Sequence, residues 1–173
     1  KDPRVRHAGV MCITGMSKGQ PLPDDQLTDE MLELVAGMIN DQQESWWVTI
    51  TAMDALKRAK TEQIASVAER LFYWLNHEDW WLRHAAMKAL SPIAADKRFY
   101  KRVWSDIGKI VSTNQRGAIV NSLSGIVSQL QTADPKVQKY ALKQLSQAYL
   151  NFPTELYAPG GQDMSNAQVY LLD

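Results

Sequence analysis

The stretch "HEDWWLRHAAMKAL", residues 77 to 90, places two histidines and two acids around a tryptophan pair. Histidine and carboxylate side chains bind zinc and transfer protons in enzymes. Here, however, five residues separate Glu78 from His84, so a helix would not bring His77 and His84 one turn apart with the glutamate between them. The stretch therefore does not predict a metal site.

Other signatures of catalysis are missing from the sequence as well. It contains no G-x-S-x-G element, phosphate-binding loop, dinucleotide fingerprint or Cys-x-x-Cys pair. The single cysteine, Cys12, lies on an apolar stripe and is predicted to be a buried, unreactive thiol, because reactivity requires an exposed thiolate. No catalytic residue and no cofactor is predicted.

The same pattern recurs along the chain. "ESWWVTITAMDAL" (44 to 56) aligns with "EDWWLRHAAMKAL" (78 to 90) at an offset of 34 residues. The segment "DPRVRHAGVMCI" from Asp2 shares the Arg-His-Ala triplet, and "DPKVQKYALKQL" from Asp134 is a weaker copy. Several copies of one pattern indicate a repeated structural unit rather than a single catalytic site.

Each copy carries its apolar residues on one face of a helix. Positions i, i+4, i+7, i+8 and i+11 from Val5, Val48, Leu82 and Val137 are apolar or glycine, with Gln144 the exception. Further amphipathic segments lie between the copies. The sequence predicts an all-α domain of about eight helices at 1–151 and an irregular tail at 152–173. The predicted helices span residues 3–16, 24–40, 45–59, 62–76, 79–94, 97–112, 115–131 and 134–151.

The copies "DPRVRHAGVMCI" and "EDWWLRHAAMKAL" resemble the first helix of HEAT repeats, whose pattern is Asp-Pro, Val-Arg and then spaced alanines and leucine. The resemblance covers roughly residues 2 to 151. It implies an α-α superhelix of stacked antiparallel hairpins. It also implies that Asp2 interacts with Arg6 and Asp79 with Arg83 to hold the repeats together, an i,i+4 pairing that helix geometry allows.

Two departures from the HEAT pattern leave the phase of the repeats open. The second copy has Ser45 and Thr49 where the pattern has aspartate and arginine. The copy that begins at Asp134 looks like a first helix, yet counting hairpins in pairs makes it a second one. An irregular half-repeat near 97–131 would resolve the conflict.

The two tryptophan pairs occupy different positions relative to the apolar stripe. Trp46 and Trp80 align with its edge and are predicted to lie in the core. Trp47 and Trp81 align with polar positions, so they either cap the preceding hairpin or stand exposed on a binding surface. His84 corresponds to His7 and is interpreted as a hydrogen-bonding residue between repeats or at their solvent edge.

The net charge is zero, but the charges are unevenly distributed. Residues 17 to 46 carry seven acids and one base, and residues 97 to 151 carry nine bases and two acids. In a repeat protein this separation creates an acidic end and a basic end. The charges either face solvent or, at the basic end, face an acidic protein or a nucleic-acid backbone.

Two functions of different class are compatible with these observations. The first is a non-catalytic scaffold module, part of a larger protein, that binds a protein or peptide on one face of the solenoid. The second is nucleic-acid binding, because "HEDWWLRHAA" is also similar to a stretch of the HEAT-like DNA alkylation repair glycosylases, although no catalytic carboxylate of theirs maps onto this chain. The candidate binding residues are Trp47, Trp81, Arg83, His84, Lys97, Arg98, Lys101 and Arg102. Nucleic acid is favoured if the aromatic and basic members of this set line one groove.

The sequence contains no run of 18 apolar residues and no signal-peptide pattern, so no membrane span is predicted. The chain opens directly on a repeat, and we expect it to be a mature form or a piece of a longer protein.

Overall fold

The computed structural model of the protein describes residues 2–14, 27–112 and 120–150. These residues form eight α-helices and no strand, which confirms the predicted all-α class. The tail predicted at 152–173 lies outside them. The helices are α1 (Pro3–Thr14), α2 (Asp29–Asn40), α3 (Trp46–Ala55), α4 (Thr61–Leu75), α5 (Trp80–Leu90), α6 (Tyr100–Val111), α7 (Val120–Val127) and α8 (Pro135–Leu150). Short 3-10 turns extend three of them, at Leu56–Arg58, Ser91–Ile93 and Ser128–Leu130.

The helix starts follow local capping chemistry. Helix α2 begins at Asp29, later than predicted, because the hydroxyl of Thr28 accepts a hydrogen bond from the Met31 N–H (3.3 Å). Helix α6 begins at Tyr100 rather than at 97. The carboxylate of Asp96 accepts the Arg98 N–H (2.8 Å), which holds the preceding residues in a turn.

The helices contact each other in an alternating pattern. Helix α1 contacts α3, α3 contacts α5, and α5 contacts α7. On the other side, α2 contacts α4 and α6 contacts α8. Neighbouring helices α2 and α3, and α4 and α5, pack against each other as well. Helix α8, whose sequence resembles a first helix, thus packs with the even-numbered helix α6.

Hydrogen bonds at both ends show that α1 and α3 run in the same direction. At the start of α1 and α3, Arg6 binds Glu44, and at their ends the Arg58 guanidinium donates to the Ile13 carbonyl (2.7 Å). Short connections then return the chain from α3 to α4 and from α4 to α5. Helices α1, α3 and α5 therefore begin at the same end of the array.

One continuous apolar core joins the described helices. It contains the predicted stripes of α3, α5 and α8, among them Ala52, Leu82, Ala86 and Ala141, all of which are buried. Small side chains on these stripes let adjacent helices approach closely, and the removal of this apolar surface from water stabilises the fold.

The predicted stripe of α1 is not buried along its length. Val5 is 66% exposed, and Cys12, predicted to be buried, is exposed as well. Helix α1 contacts α3 on one side, and Val10 is its fully buried residue. The prediction for Cys12 was wrong because a stripe is buried only where a second helix covers it.

Among the described residues, no helix is both long enough and apolar enough to cross a membrane.

Candidate interaction surface

Three large aromatic side chains stand exposed at the starts of α3 and α5. Trp46 is 55% exposed, Trp80 40% and Trp81 50%. The prediction that Trp46 and Trp80 belong to the core was therefore wrong. Each residue advances about 100° around a helix, so the first residue lies about 200° from the third. Because the third residues are the buried Val48 and Leu82, the indole of the first residue points away from the core.

The two exposed tryptophans of α5 are in contact with each other. The ring centroids of Trp80 and Trp81 are 3.5 Å apart, with 27° between the ring planes, so the indoles stack. Since α3 and α5 begin at the same end of the array, Trp46 faces solvent at that end too. We call Trp46, Trp80 and Trp81 the tryptophan edge.

Trp47 occupies the position of Trp81 but is half-buried. Its ring meets His7 of α1 edge to face, with 4.8 Å between the centroids. Trp47 thus packs against the preceding helix, whereas Trp81 stands exposed. His84, the counterpart of His7, is half-buried on α5.

A buried arginine shapes the connection between α4 and α5. Arg83 is 3% exposed, and its Nη1 donates to the carbonyl oxygens of His77 (2.8 Å) and Glu78 (2.6 Å). Burial lowers the pKa of Arg83, and the nearby charge of Asp79 opposes that effect. A guanidinium remains protonated at neutral pH even so. Arg83 therefore fixes the backbone just before the tryptophan pair.

Asp79 acts mainly as a helix cap. Its carboxylate accepts the N–H of Trp81 (2.8 Å) at the start of α5, while its own N–H donates to Nδ1 of His77 (3.0 Å). The negative charge of Asp79 also attracts the guanidinium of Arg83.

At the corresponding positions at the start of α1, Asp2 and Arg6 form side-chain ion pairs with other residues, while their own charges also attract each other. The carboxylate of Asp2 is bound by Arg4 (2.7 Å), whereas the guanidinium of Arg6 reaches Glu44 in the connection before α3 (Nη2 to Oε1, 2.7 Å). The Arg6 guanidinium lowers the pKa of Glu44, and the Glu44 carboxylate in turn raises the pKa of Arg6. Arg6 thus ties α1 to α3, because Glu44 lies 38 residues away along the chain.

An open groove of about 600 Å³ lies beside the α4–α5 connection. Helix α4, the connection and helix α6 supply its lining, which consists of Glu69, Phe72, Tyr73, Asn76, His77, Glu78 and Arg102. His77 and Glu78 belong to the stretch singled out from the sequence, and Trp80 follows two residues later. The connection that lines the groove therefore leads directly into the first turn of α5, where Trp80 and Trp81 lie.

The cations near this groove have partners within the chain. Arg102 binds Glu69 (2.5 Å), and its guanidinium lies over the Phe72 ring at 4.1 Å from the centroid. Arg70 lies over the Tyr73 ring at 5.0 Å and donates to the backbone of α2. Arginine stacked on an aromatic face is a favourable contact.

The basic segment that begins at 97 is partly neutralised. Arg98 binds the carboxylates of Asp96 (2.7 Å) and Glu62 (2.9 Å), which raise its pKa. Lys97 and Lys101 are exposed. Of the basic residues proposed as a binding set, Arg102 lines the groove, while Arg83 is buried beneath the connection. Of the proposed set, Arg102 is thus the one residue among the described lining of this groove.

Several residues of this surface were not singled out from the sequence. Tyr73 and Glu69 belong to the groove, and Glu44 holds Arg6. Glu44 aligns with Glu78 in the sequence repeat, but its contact with Arg6 depends on which helix lies beside α1. Across residues 2–14, 27–112 and 120–150, no group of three potential metal ligands comes together.

Comparison of the chain with protein families, with curated proteins and with solved structures found no match.

Proposed function

We propose that this chain is a non-catalytic interaction module, a HEAT-like helical solenoid that binds a protein or peptide through the tryptophan edge. The observation that carries the proposal is the exposure of Trp46, Trp80 and Trp81 at one end of the array. Removing apolar surface from water is favourable by about 25 cal/mol per Å², so exposed indoles gain free energy when a partner covers them. Tryptophan is also the residue type most enriched among the side chains that dominate binding energy. An exposed cluster of this kind favours a contact surface.

The contacts between helices support the solenoid part of the proposal. Helix α3 packs against both α1 and α5, and the chain neighbours α2 and α3, and α4 and α5, pack against each other. Stacked hairpins of this kind build an extended platform from local contacts. Because Val48 and Leu82 anchor the first turns of α3 and α5 in the core, the indoles beside them are held in place before a partner arrives.

Nucleic-acid binding is less well supported. Affinity for a phosphate backbone requires arginines and lysines whose charges are not already neutralised. Arg98 and Arg102 bind carboxylates of α4. We expect single- and double-stranded DNA to show no salt-sensitive binding in fluorescence anisotropy. Strong binding at low salt that is lost on neutralising Lys97, Arg98, Lys101 and Arg102 would favour this alternative over the proposed function.

The proposal is tested by finding a partner and then removing the edge. The purified chain captures candidate proteins from an extract, and each candidate is produced in pure form and titrated calorimetrically. The triple variant W46A/W80A/W81A should bind the partner at least about 100-fold more weakly, since dominant interface residues each contribute about 2 kcal/mol or more.

The matched control is Leu142→Ala on α8, which truncates a side chain that is 58% exposed but lies outside the tryptophan edge. This variant should bind the partner like the unaltered chain. Equal binding by the triple variant and the control would show that the edge is not the contact surface.

A further inference from the structure

We infer that an arginine side chain of the protein partner binds the carboxylate of Glu78 at the groove and stacks on the Trp80–Trp81 pair, which follows Glu78 at the start of α5. This inference rests on the proposed function and names the chemistry that its surface recognises.

The position of Glu78 is the first argument. Arg83 holds the carbonyl groups of His77 and Glu78 from below, so the backbone of the connection is fixed. Glu78 lines the groove and is an exposed residue. A carboxylate can accept two parallel hydrogen bonds from a guanidinium, and a fixed backbone reduces the ordering that this contact requires.

The charge balance of the groove is the second argument. Of the charged residues that line it, Glu69 and Arg102 bind each other. Buried Asp106 behind it accepts hydrogen bonds from Asn76 and Lys109. Arg70 lies nearby over Tyr73. Within the described lining, Glu78 is the carboxylate for which no ion pair or hydrogen bond to another side chain is formed. The groove therefore offers an acceptor for a cation.

The aromatic rings supply the third argument. In this chain arginines lie over aromatic rings at three places, with Arg70 over Tyr73, Arg98 over Phe99 and Arg102 over Phe72. The Trp80–Trp81 stack is not covered by an arginine of the described residues. Tryptophan attracts cations more strongly than the other aromatic rings. A partner arginine at this stack would repeat a contact that the chain already uses.

Arginine fits this surface better than lysine. Its planar guanidinium can stack on an indole and at the same time bind a carboxylate through two N–H groups. The lysine ammonium is compact and strongly hydrated, and it lacks a planar face. Acidic partner residues would be repelled by Glu78.

The test compares two probes of equal shape. N-acetylarginine amide and N-acetylcitrulline amide differ in that the citrulline urea is uncharged, and each is titrated into the full chain labelled with ¹⁵N. The indole N–H signals of Trp80 and Trp81, assigned by single substitutions, are followed by NMR. Arginine should shift them saturably at millimolar concentration, and citrulline should bind at least about tenfold more weakly.

The variant Glu78→Gln should remove the preference for arginine, whereas Glu33→Gln, at an exposed glutamate on α2, should retain it. Equal shifts with both probes, no shift with either, or an arginine preference that survives in Glu78→Gln would each overturn the inference. The proposed function fails separately. A purified partner that needs the tryptophan edge but binds the Glu78→Gln variant normally would contradict the arginine site alone. A partner whose binding does not depend on the tryptophan edge would contradict the proposed function.

Discussion

Two groups of tryptophans in this chain have opposite environments. Trp74 and Trp104, on the even-numbered helices α4 and α6, are at most 4% exposed. The indole N–H of Trp74 donates to the Ile39 carbonyl (2.8 Å), and that of Trp104 donates to the Ala94 carbonyl (2.9 Å). The tryptophan edge of α3 and α5 is instead 40 to 55% exposed. Burial with a satisfied N–H indicates a structural role, whereas exposure indicates a role in contact.

The position of each residue on its helix causes this difference. Trp74 and Trp104 lie among the buried residues of their own helices, and their bonds join α4 to α2 and α6 to the turn before it. Trp46 and Trp80 occupy first-turn positions about 200° from the buried Val48 and Leu82. An indole in that position adds little to folding, so its apolar surface is available to a partner.

Truncation of Trp104 should have the largest effect on stability. The side chain is fully buried, and Trp104→Ala removes apolar contacts, leaves a cavity and deprives the Ala94 carbonyl of its donor. We expect the free energy of unfolding to fall by about 3–5 kcal/mol, measured by urea unfolding followed by circular dichroism. A loss below about 1 kcal/mol would contradict the structural role of the buried group.

Replacement of Arg83 by methionine should have the next largest effect. Methionine keeps much of the volume but cannot donate to the carbonyls of His77 and Glu78. We expect a loss of about 2 kcal/mol in the free energy of unfolding. Hydrogen exchange should also become faster at the Asp79 N–H, because its acceptor His77 is then less well fixed. Unchanged exchange at Asp79 would show that Arg83 does not order the connection.

Glu44→Gln should have a smaller effect that depends on pH. The folded-state pKa of Glu44 lies below its ordinary value because Arg6 binds the ionised form. The stabilisation is therefore fully present above the ordinary pKa, about 4.3, and is lost as the pH falls through the lower folded-state pKa. At pH 7 we expect the variant to be less stable by about 1 kcal/mol, allowing for solvent screening.

The measurement for Glu44 is the free energy of unfolding of both proteins from pH 7 down to about pH 3. The two curves should approach each other as the pH falls through the lowered folded-state pKa of Glu44, because protonation removes the charge that Arg6 binds. A difference that stays constant over this range would rule out the ion pair as its source. Glu33→Gln, which alters an exposed glutamate of α2, controls for the general loss of a negative charge.

Trp81→Ala should have the smallest effect on stability. Because its indole is half exposed and stacks on the neighbouring Trp80, we expect the free energy of unfolding to change by no more than about 0.5 kcal/mol. The same variant should weaken binding of the identified partner, so urea unfolding and calorimetric titration together separate contact from folding. A large loss of stability would place Trp81 with Trp104 and end the contrast between the two groups.

The helices were predicted well because their cause is local. The apolar stripes of α3, α5 and α8 have a helical period, and the structure buries them. The predictions for Trp46 and Trp80 failed for a reason that is partly local as well, since alignment with the edge of a stripe does not tell which side of that edge faces solvent. The pairing of Arg6 with Glu44 required knowledge of which helix lies beside α1.

The sequence by itself determined that the chain is all-α, where its helices lie, and that one unit recurs, because periodicity and capping act between residues a few positions apart. Only the tertiary structure decided which members of that unit serve as scaffold and which face solvent. Trp47 and Trp81 share one position in the repeat, yet one packs on His7 and the other stands exposed. Whether a side chain is buried depends on the residues that the neighbouring helix places against it. A repeat pattern in the sequence does not specify those residues.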